Sequence, residues 1–433
     1  PSPADPKPGT PERDPASPEA AALFQSQWAF GQVGLSSADL AGLQSPGNPV
    51  SGAGVRVGIL DTSPFSEPVT VSKEVETAAT AAPEFSTTEL TATHGVTPSW
   101  VLELAFPEMI SLTATVDSAT VAKDSTQPAA DPEPPDLSDH GLFVAGLIHA
   151  LAPESQIQLI RVLDSHGCGD LFTLNKAIYD FAIRVDDERN TLDGAVLNHS
   201  LGVQKPRPGE KPDKEEPDTL GELMLQETES ITGTSAISET MMPTEARTAT
   251  ETMNILIHDS VESLEQVVEH ATAVGVVVVA AAGNDSYVDD VPLSPHLPAA
   301  FPQVIGVSGT NLGRQRSCFS NWGDVAAPAG DGLPAEDDDG NKHSCWPVLE
   351  DCKGDCPIAL ISLADKVLKG YAYWTGTSFA APLTSGLSAL VLDKGVSPAR
   401  WVSPSEVFDA VRCGAPTADG VINVPATLER CMP

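Results

Sequence analysis

Five short runs of β-branched and small apolar residues, each closing on a polar or glycine-bearing tip, constrain the fold of this chain most. They are GVRVGILDT (54–62), IQLIRVLD (157–164), DGAVLNHSLG (193–202), VVVVAAAGND (276–285) and QVIGVSGT (303–310). Continuous apolar runs without polar alternation mark strands buried on both faces, the condition of a parallel sheet covered by helices. Helical patterns stand between them. SDHGLFVAGLIHAL (138–151) keeps small residues on one face. GDLFTLNKAIYDFAIRV (169–185) puts Leu171, Leu174, Ile178, Phe181 and Ala182 on one face, and SVESLEQVVEHATAVG (260–275) is a third helix. The alternation predicts an α/β fold in three layers, a mainly parallel central sheet with helices on both faces.

Between these elements lie stretches with no core period. Residues 1–20 are Pro-rich and are expected to be a flexible segment ahead of one domain, 21–433. Insertions are expected at about 63–137, rich in Thr, Pro, Ala and Glu, at 205–252, and at 331–357, which is acidic and carries three cysteines. No internal repeat is visible. The chain has 433 residues and a formal charge of −36, which argues against nucleic acid and anionic membrane surfaces as partners. No apolar run reaches the ~18 residues of a membrane span, so no membrane insertion is expected. The start, PSPADPKPGTPERDPASPEA, has no basic and apolar leader, which reads as a signal peptide absent or already removed. It is also too short and Pro-rich for a folded pro-segment. Seven cysteines, an odd number mostly in the last third, fit disulfides with at least one free thiol if the protein is exported. Cys345, Cys352 and Cys356 read as a local disulfide group; a zinc site with His343 is the alternative, in a spacing that matches no standard knuckle.

Four residues stand at strand ends or helix starts, where parallel sheets collect functional groups. Asp61 follows VGIL, and alone it is as well explained as a turn aspartate. His140 opens a helix beside Gly141. His94 also precedes a glycine (THGV), but no helical pattern follows it. Asn284 closes VVVVAAAGN and has an amide able to donate to an oxyanion, though GND is an ordinary turn sequence. Ser378 stands in YWTGTSFAAPLTSGLSALVL (373–392), where a sharp Gly376–Thr377 approach becomes a helix. A serine there is commonly a plain N-cap, yet the helix dipole also favours negative charge developing beside it. Pro382 is expected in the first helical turn, where its missing N–H costs nothing.

The order Asp, His, Ser separates serine hydrolase classes. In that order the motifs ILDTS, HGLFVAG and GTSFAAP resemble those of the subtilisin-like serine proteases, the subtilase family. VLNHSLG is similar to the strand lining the family's primary pocket, VVVVAAAGN to the strand ending in its oxyanion asparagine, and FQSQWAFGQVG to its mature amino terminus. Three positions depart from the family pattern: Ser63 replaces the usual glycine, and Leu142 and Phe143 replace threonine and a second histidine.

The resemblance implies a serine endopeptidase with Asp61, His140 and Ser378 as the triad and Asn284 as oxyanion donor. It implies an extended polypeptide substrate between the segment 167–171, with Gly167, Cys168 and Gly169, and the segment Ser200, Leu201 and Gly202. The primary pocket would be walled by those last three residues and by Ala281, Ala282 and Gly283, all small enough for a sizeable side chain to enter. The family's common calcium loop would fall in the helix after His140, where LIHALAPES lacks a set of carboxylates; no metal and no cofactor are expected. Polypeptides are the expected partners, the chain a monomer, and the location extracellular, with the cytoplasm open. A catalytically inactive member that binds peptides in the same groove is the alternative, and a carboxylesterase is disfavoured by the triad order.

Overall fold

The computed structural model describes residues 18–45, 48–63, 137, 139–164, 167–203, 249–286, 292–336, 342–346, 356–364, 370–395, 402–415 and 420–432. The expected insertions at 63–137 and 205–252, His94, Cys352 and most of the N-terminal segment lie wholly or largely outside these residues.

Three short helices come first: α1 (Pro18–Ser26), α2 (Trp28–Gln32) and α3 (Ser37–Leu43), the last opened by Ser36 and Asp39 in a capping box. There follow β1 (Val55–Asp61), α4 (His140–Leu151), β2 (Gln156–Arg161), α5 (Leu171–Asp187), β3 (Gly194–His199), α6 (Ala249–Ala273), β4 (Val276–Ala281), β5 (Ile305–Thr310) and β6 (Val325–Pro328). These six strands make one parallel sheet in the order β2-β1-β3-β4-β5-β6.

Alternate residues of the apolar runs feed two cores, because a strand's side chains point to opposite faces. Val277, Val279 and Ala281 join Val57, Ile59, Val196 and Val307 under α4 and under α7 (Thr377–Gly395). Val276, Val278 and Ala280 join Leu60, Ala195 and Leu197 against Leu174, Ile178 and Phe181 of α5 and Leu264 and Val268 of α6. The three-layer α/β fold expected from the sequence is the fold observed. The face under α5 is as predicted except for Leu171, which is only partly buried.

α6 starts at Ala249, inside the stretch read as an insertion to 252. The acidic segment 331–357 contains an antiparallel hairpin of β7 (Leu333–Glu336) and β8 (Lys342–Trp346). Cys345 of that hairpin is bonded to Cys318, 27 residues away, so the expected pairing of Cys345 within its own cluster is corrected, and its thiolate is not available to zinc. Cys356 is disulfide-bonded too, Cys413 joins Cys431, and Cys168 is free. A second ribbon, β9 (Leu360–Ala364) with β10 (Gly370–Trp374), runs directly into α7. Helices α8 (Pro404–Cys413) and α9 (Val424–Arg430) close the described chain.

Strand order reverses at β1, which lies between β2 and β3; at such a switch point neighbouring loops part and leave a crevice at the carboxyl ends of the strands. Leu60 is level with His199 in the register, so Asp61 and Ser200 emerge side by side there.

Candidate active site

Asp61 is the last residue of β1, and His140 the first of α4. The start of α4 lies so close to the end of β1 that a β-carbon at Gly141 would come within 2.3 Å of Thr62 O and 3.0 Å of Asp61 Cβ. Glycine is therefore required there, and its absence of side chain lets His140 reach Asp61. Nδ1 of His140 lies 2.7 Å from Asp61 Oδ1, which also accepts from Thr62 N–H at 2.7 Å. Thr62 Oγ1 in turn donates to Leu137 O at 2.7 Å and accepts from Gly141 N–H at 3.3 Å, binding the two segments together. A carboxylate accepts only, so the pair places the hydrogen on Nδ1 and leaves Nε2 as the acceptor in the neutral ring.

The other face of the imidazole is aromatic. Trp374 meets it edge-on at 5.1 Å and Phe379 at 5.2 Å, with Phe143 4.4 Å from Phe379. Leu142 and Phe143, two of the departures from the family pattern, are core residues. Because Phe379 follows Ser378 directly, this packing also sets the start of α7 against His140.

Ser378 is the second residue of α7, and Pro382 the sixth. Pro382 thus lies in the second turn, not the first as expected. Its missing N–H would have bonded the carbonyl four residues back, that of Ser378. That carbonyl accepts from Ser200 Oγ instead, at 2.8 Å, while Ser378 Oγ donates to Ser200 O at 3.0 Å. Ser200 Oγ is oriented by Asn198 Nδ2 at 2.9 Å, and Asn198 Oδ1 accepts from Ser385 Oγ of α7 at 2.9 Å. The proline frees one acceptor, and Ser200, just beyond β3, uses it to dock the first turn of α7.

Asn284 follows β4 by way of Gly283, whose φ of +105° suits glycine alone. Asn284 Oδ1 accepts from both the N–H and the hydroxyl of Thr377, each at 2.9 Å, and Thr377 Oγ1 accepts from Gly283 N–H at 3.2 Å. With Oδ1 occupied by two donors, the amide nitrogen is turned the other way, as a donor. The sequence marks Thr377 only as part of the approach to Ser378, and its hold on the Asn284 amide depends on a contact across the fold.

The remaining predicted residues are placed as follows. Ser200, Leu201 and Gly202 lead out of β3; Ala281 ends β4, and Ala282 and Gly283 continue from it. Gly167, Cys168 and Gly169 lie in the loop before α5 and are not a strand, and Leu171 already belongs to the helix. Cys168 N–H donates to Asp164 Oδ1 at 2.9 Å and its carbonyl accepts from Asp164 N–H at 2.8 Å. Burial first, and the Asp164 charge second, push the Cys168 thiol pKa up. His199, at the end of β3, is fully buried with neither ring nitrogen hydrogen-bonded among the described residues, and burial pushes its pKa down to about 3. Among the described residues no group of metal-ligating side chains occurs at this site; Cys318, Asp331 and Cys345 lie close together elsewhere, with both cysteines in a disulfide.

An aspartate–histidine pair, a serine at a helix start and an asparagine amide beside it, all at the carboxyl edge of a parallel sheet, define the architecture of a subtilisin-like hydrolase fold. The subtilase family model matches residues 52–412, and the chain belongs to that family. It is 26% identical to subtilisin of Bacillus pumilus over 272 residues, 60% of this chain and 65% of that protein. It is 26% identical to subtilisin E of Bacillus subtilis (strain 168), covering 60% and 47%, and 32% identical over 154 residues to that organism's major intracellular serine protease, covering 34% and 38%. The chain therefore spans about half to two thirds of the length of the first two of these curated relatives. Among solved structures, a lanthipeptide protease aligns with TM-score 0.53 at 17% identity over 98% of both chains. The nisin leader peptidase NisP of Lactococcus lactis aligns with TM-score 0.50 at 22% identity over 94% of both, a likeness of fold.

Proposed function

We propose that this chain is a serine endopeptidase acting through a covalent acyl-enzyme. The observation that carries the reading is the buried Asp61–His140 pair, 2.7 Å apart and packed by Phe379 against the helix start that bears Ser378. For the reaction the Ser378 hydroxyl leaves Ser200 O, to which it donates at 3.0 Å, for Nε2 of His140. His140 then takes its proton as Ser378 Oγ attacks the scissile carbonyl, and returns it to the leaving amine. Asp61 holds the tautomer and stabilises the imidazolium. The tetrahedral oxyanion is met by the Asn284 amide, preset by Thr377, and by the Ser378 backbone N–H at the positive end of α7.

The substrate lies extended between the loop with Gly167, Cys168 and Gly169 and the segment Ser200, Leu201 and Gly202. Cys168 has spent its own N–H and carbonyl on Asp164, and Gly167 donates its N–H to Asp164 O at 3.1 Å, so main-chain pairing falls to the Gly167 carbonyl and to Gly169. Two disulfides, Cys318–Cys345 and Cys413–Cys431, support an oxidising location outside the cytoplasm. The test is mass spectrometry of peptides released from a denatured protein. New internal cleavages with the native chain, and none with Ser378→Ala, are expected; equal release by both refutes the reading.

A further inference from the structure

The two segments proposed as pocket walls, 200–202 and 281–283, do not enclose an empty slot. A β-carbon at Gly202 would stand 2.8 Å from His296 Nδ1, and one at Gly283 would stand 2.7 Å from the same atom. One edge of a single imidazole is wedged between both walls. Its backbone is tied to both as well. His296 N–H donates to Ala282 O at 2.9 Å, and the next residue, Leu297, exchanges hydrogen bonds with Val203 at 2.9 and 3.3 Å. These bonds fix the backbone that carries the ring between the two walls.

Its protonation pattern is set by a second aspartate. His296 Nε2 lies 2.6 Å from Asp285 Oδ2. Asp285 is steadied by Asn321, whose Oδ1 accepts from Asp285 N–H at 3.2 Å and whose Nδ2 donates to Ala282 O at 3.3 Å and to Asp285 Oδ2 at 3.4 Å. Since the carboxylate only accepts, Nε2 carries the hydrogen, and Nδ1, the atom between the glycines, is an acceptor in the neutral ring. No described residue donates to it within hydrogen-bond distance.

Resting on the protease reading, we propose that His296, locked by Asp285, closes the primary specificity pocket and selects the residue on the acyl side of the scissile bond. The side chain chosen is short to medium and carries a hydrogen-bond donor, as in Ser, Thr, Asn or Gln. The ring occupies the depth that a large aromatic or branched apolar side chain needs. An apolar side chain pressed against Nδ1 would also desolvate that acceptor without pairing it, whereas a hydroxyl or amide donor satisfies it.

The experiment is kcat/KM for peptide amides that differ only in that residue, measured on the unmodified chain and on His296→Gly. The unmodified chain is expected to favour Ser, Thr, Asn and Gln over Phe, Tyr and Leu by at least about tenfold. His296→Gly opens the pocket and shifts the ratio toward Phe and Leu by roughly tenfold to a hundredfold. Ratios within one preparation are insensitive to a partly unfolded fraction, and the unmodified chain's profile stands if the variant does not fold. An active unmodified chain that prefers Phe or Leu overturns the proposal and leaves the protease reading intact, as does a folded His296→Gly with an unchanged ratio. A chain that cleaves nothing and takes up no fluorophosphonate at Ser378 overturns both.

Discussion

This molecule holds two buried or nearly buried Asp–His pairs at the same sheet edge, and they differ in which ring nitrogen the aspartate holds. Asp61 holds Nδ1 of His140 at 2.7 Å; Asp285 holds Nε2 of His296 at 2.6 Å. In each case the carboxylate fixes the tautomer, and the opposite nitrogen becomes the working atom. His140 starts a helix, with aromatic rings on its flank and the serine helix beside it, and in the proposed reading its Nε2 serves the Ser378 hydroxyl. His296 is pinned between two walls by its own backbone, so its free nitrogen faces a space bounded by glycines. In the proposed reading one such pair serves as a base and the other as a selecting wall, and backbone placement decides which.

Breaking each pair should have different consequences. Asp61→Asn leaves the shape but allows the wrong tautomer at His140, and kcat is expected to fall about 10⁴-fold on every substrate. Steady-state kinetics on two unlike peptides checks this; a loss confined to one peptide would contradict it. At His296, by contrast, the change should appear as a re-ranking of substrates.

The oxyanion side sharpens the comparison, because its donor is oriented by neutral groups. Asn284→Leu should lower kcat about 10²–10³-fold with KM nearly unchanged, a size established for the family's oxyanion asparagine and not computed from this structure. Normal kcat in a folded variant would end the assignment. Thr377→Val keeps the Thr377 N–H to Asn284 Oδ1 but removes the hydroxyl bond to it and the acceptor of the Gly283 N–H, so a kcat loss of about fivefold is expected, in line with a neutral hydrogen bond of about 1 kcal/mol. A loss seen only in KM would mean that Thr377 does not orient the amide.

The mildest effect concerns two histidines whose pKa burial depresses. Burial lowers the pKa of His199 to about 3 and that of His149 to about 4. Against an unfolded value near 6.5, the unfolded chain binds more protons than the folded one below that pH. Their contribution is complete above pH 6.5 and is lost as pH falls toward about 4 for His149 and about 3 for His199, about 2 kcal/mol per group at pH 5. Denaturant midpoints at pH 7.5 and 5 for the unmodified chain and His199→Met measure this. A variant with the same acid sensitivity would exclude His199 as a source.

Much of this was legible in the sequence, for a specific reason. Strands β1 to β5 are buried on both faces and so read as continuous apolar runs, and their polar tips exposed Asp61 and Asn284. Ser378 stood out by its glycine approach. β6 is only VAAP, and β9 and β10 form a separate antiparallel ribbon, so neither offered a run long enough to notice. The bond between Cys318 and Cys345, the carbonyl that Pro382 frees for Ser200, and the wedge of His296 between two distant walls depend on contacts across the fold. No local pattern encodes them. The small wall residues suggested an open gap because the imidazole that lies between Gly202 and Gly283 comes from elsewhere in the chain.

The central claim is that Ser378 is an activated nucleophile. The direct measurement is labelling by a fluorophosphonate, which reacts with a serine only when a base and an oxyanion site are assembled around it. The folded chain should take up one label, found by peptide mapping on Ser378, and neither Ser378→Ala nor the heat-denatured chain should take up any. A folded, monodisperse chain that remains unlabelled, or a label mapped to another residue, would contradict the account.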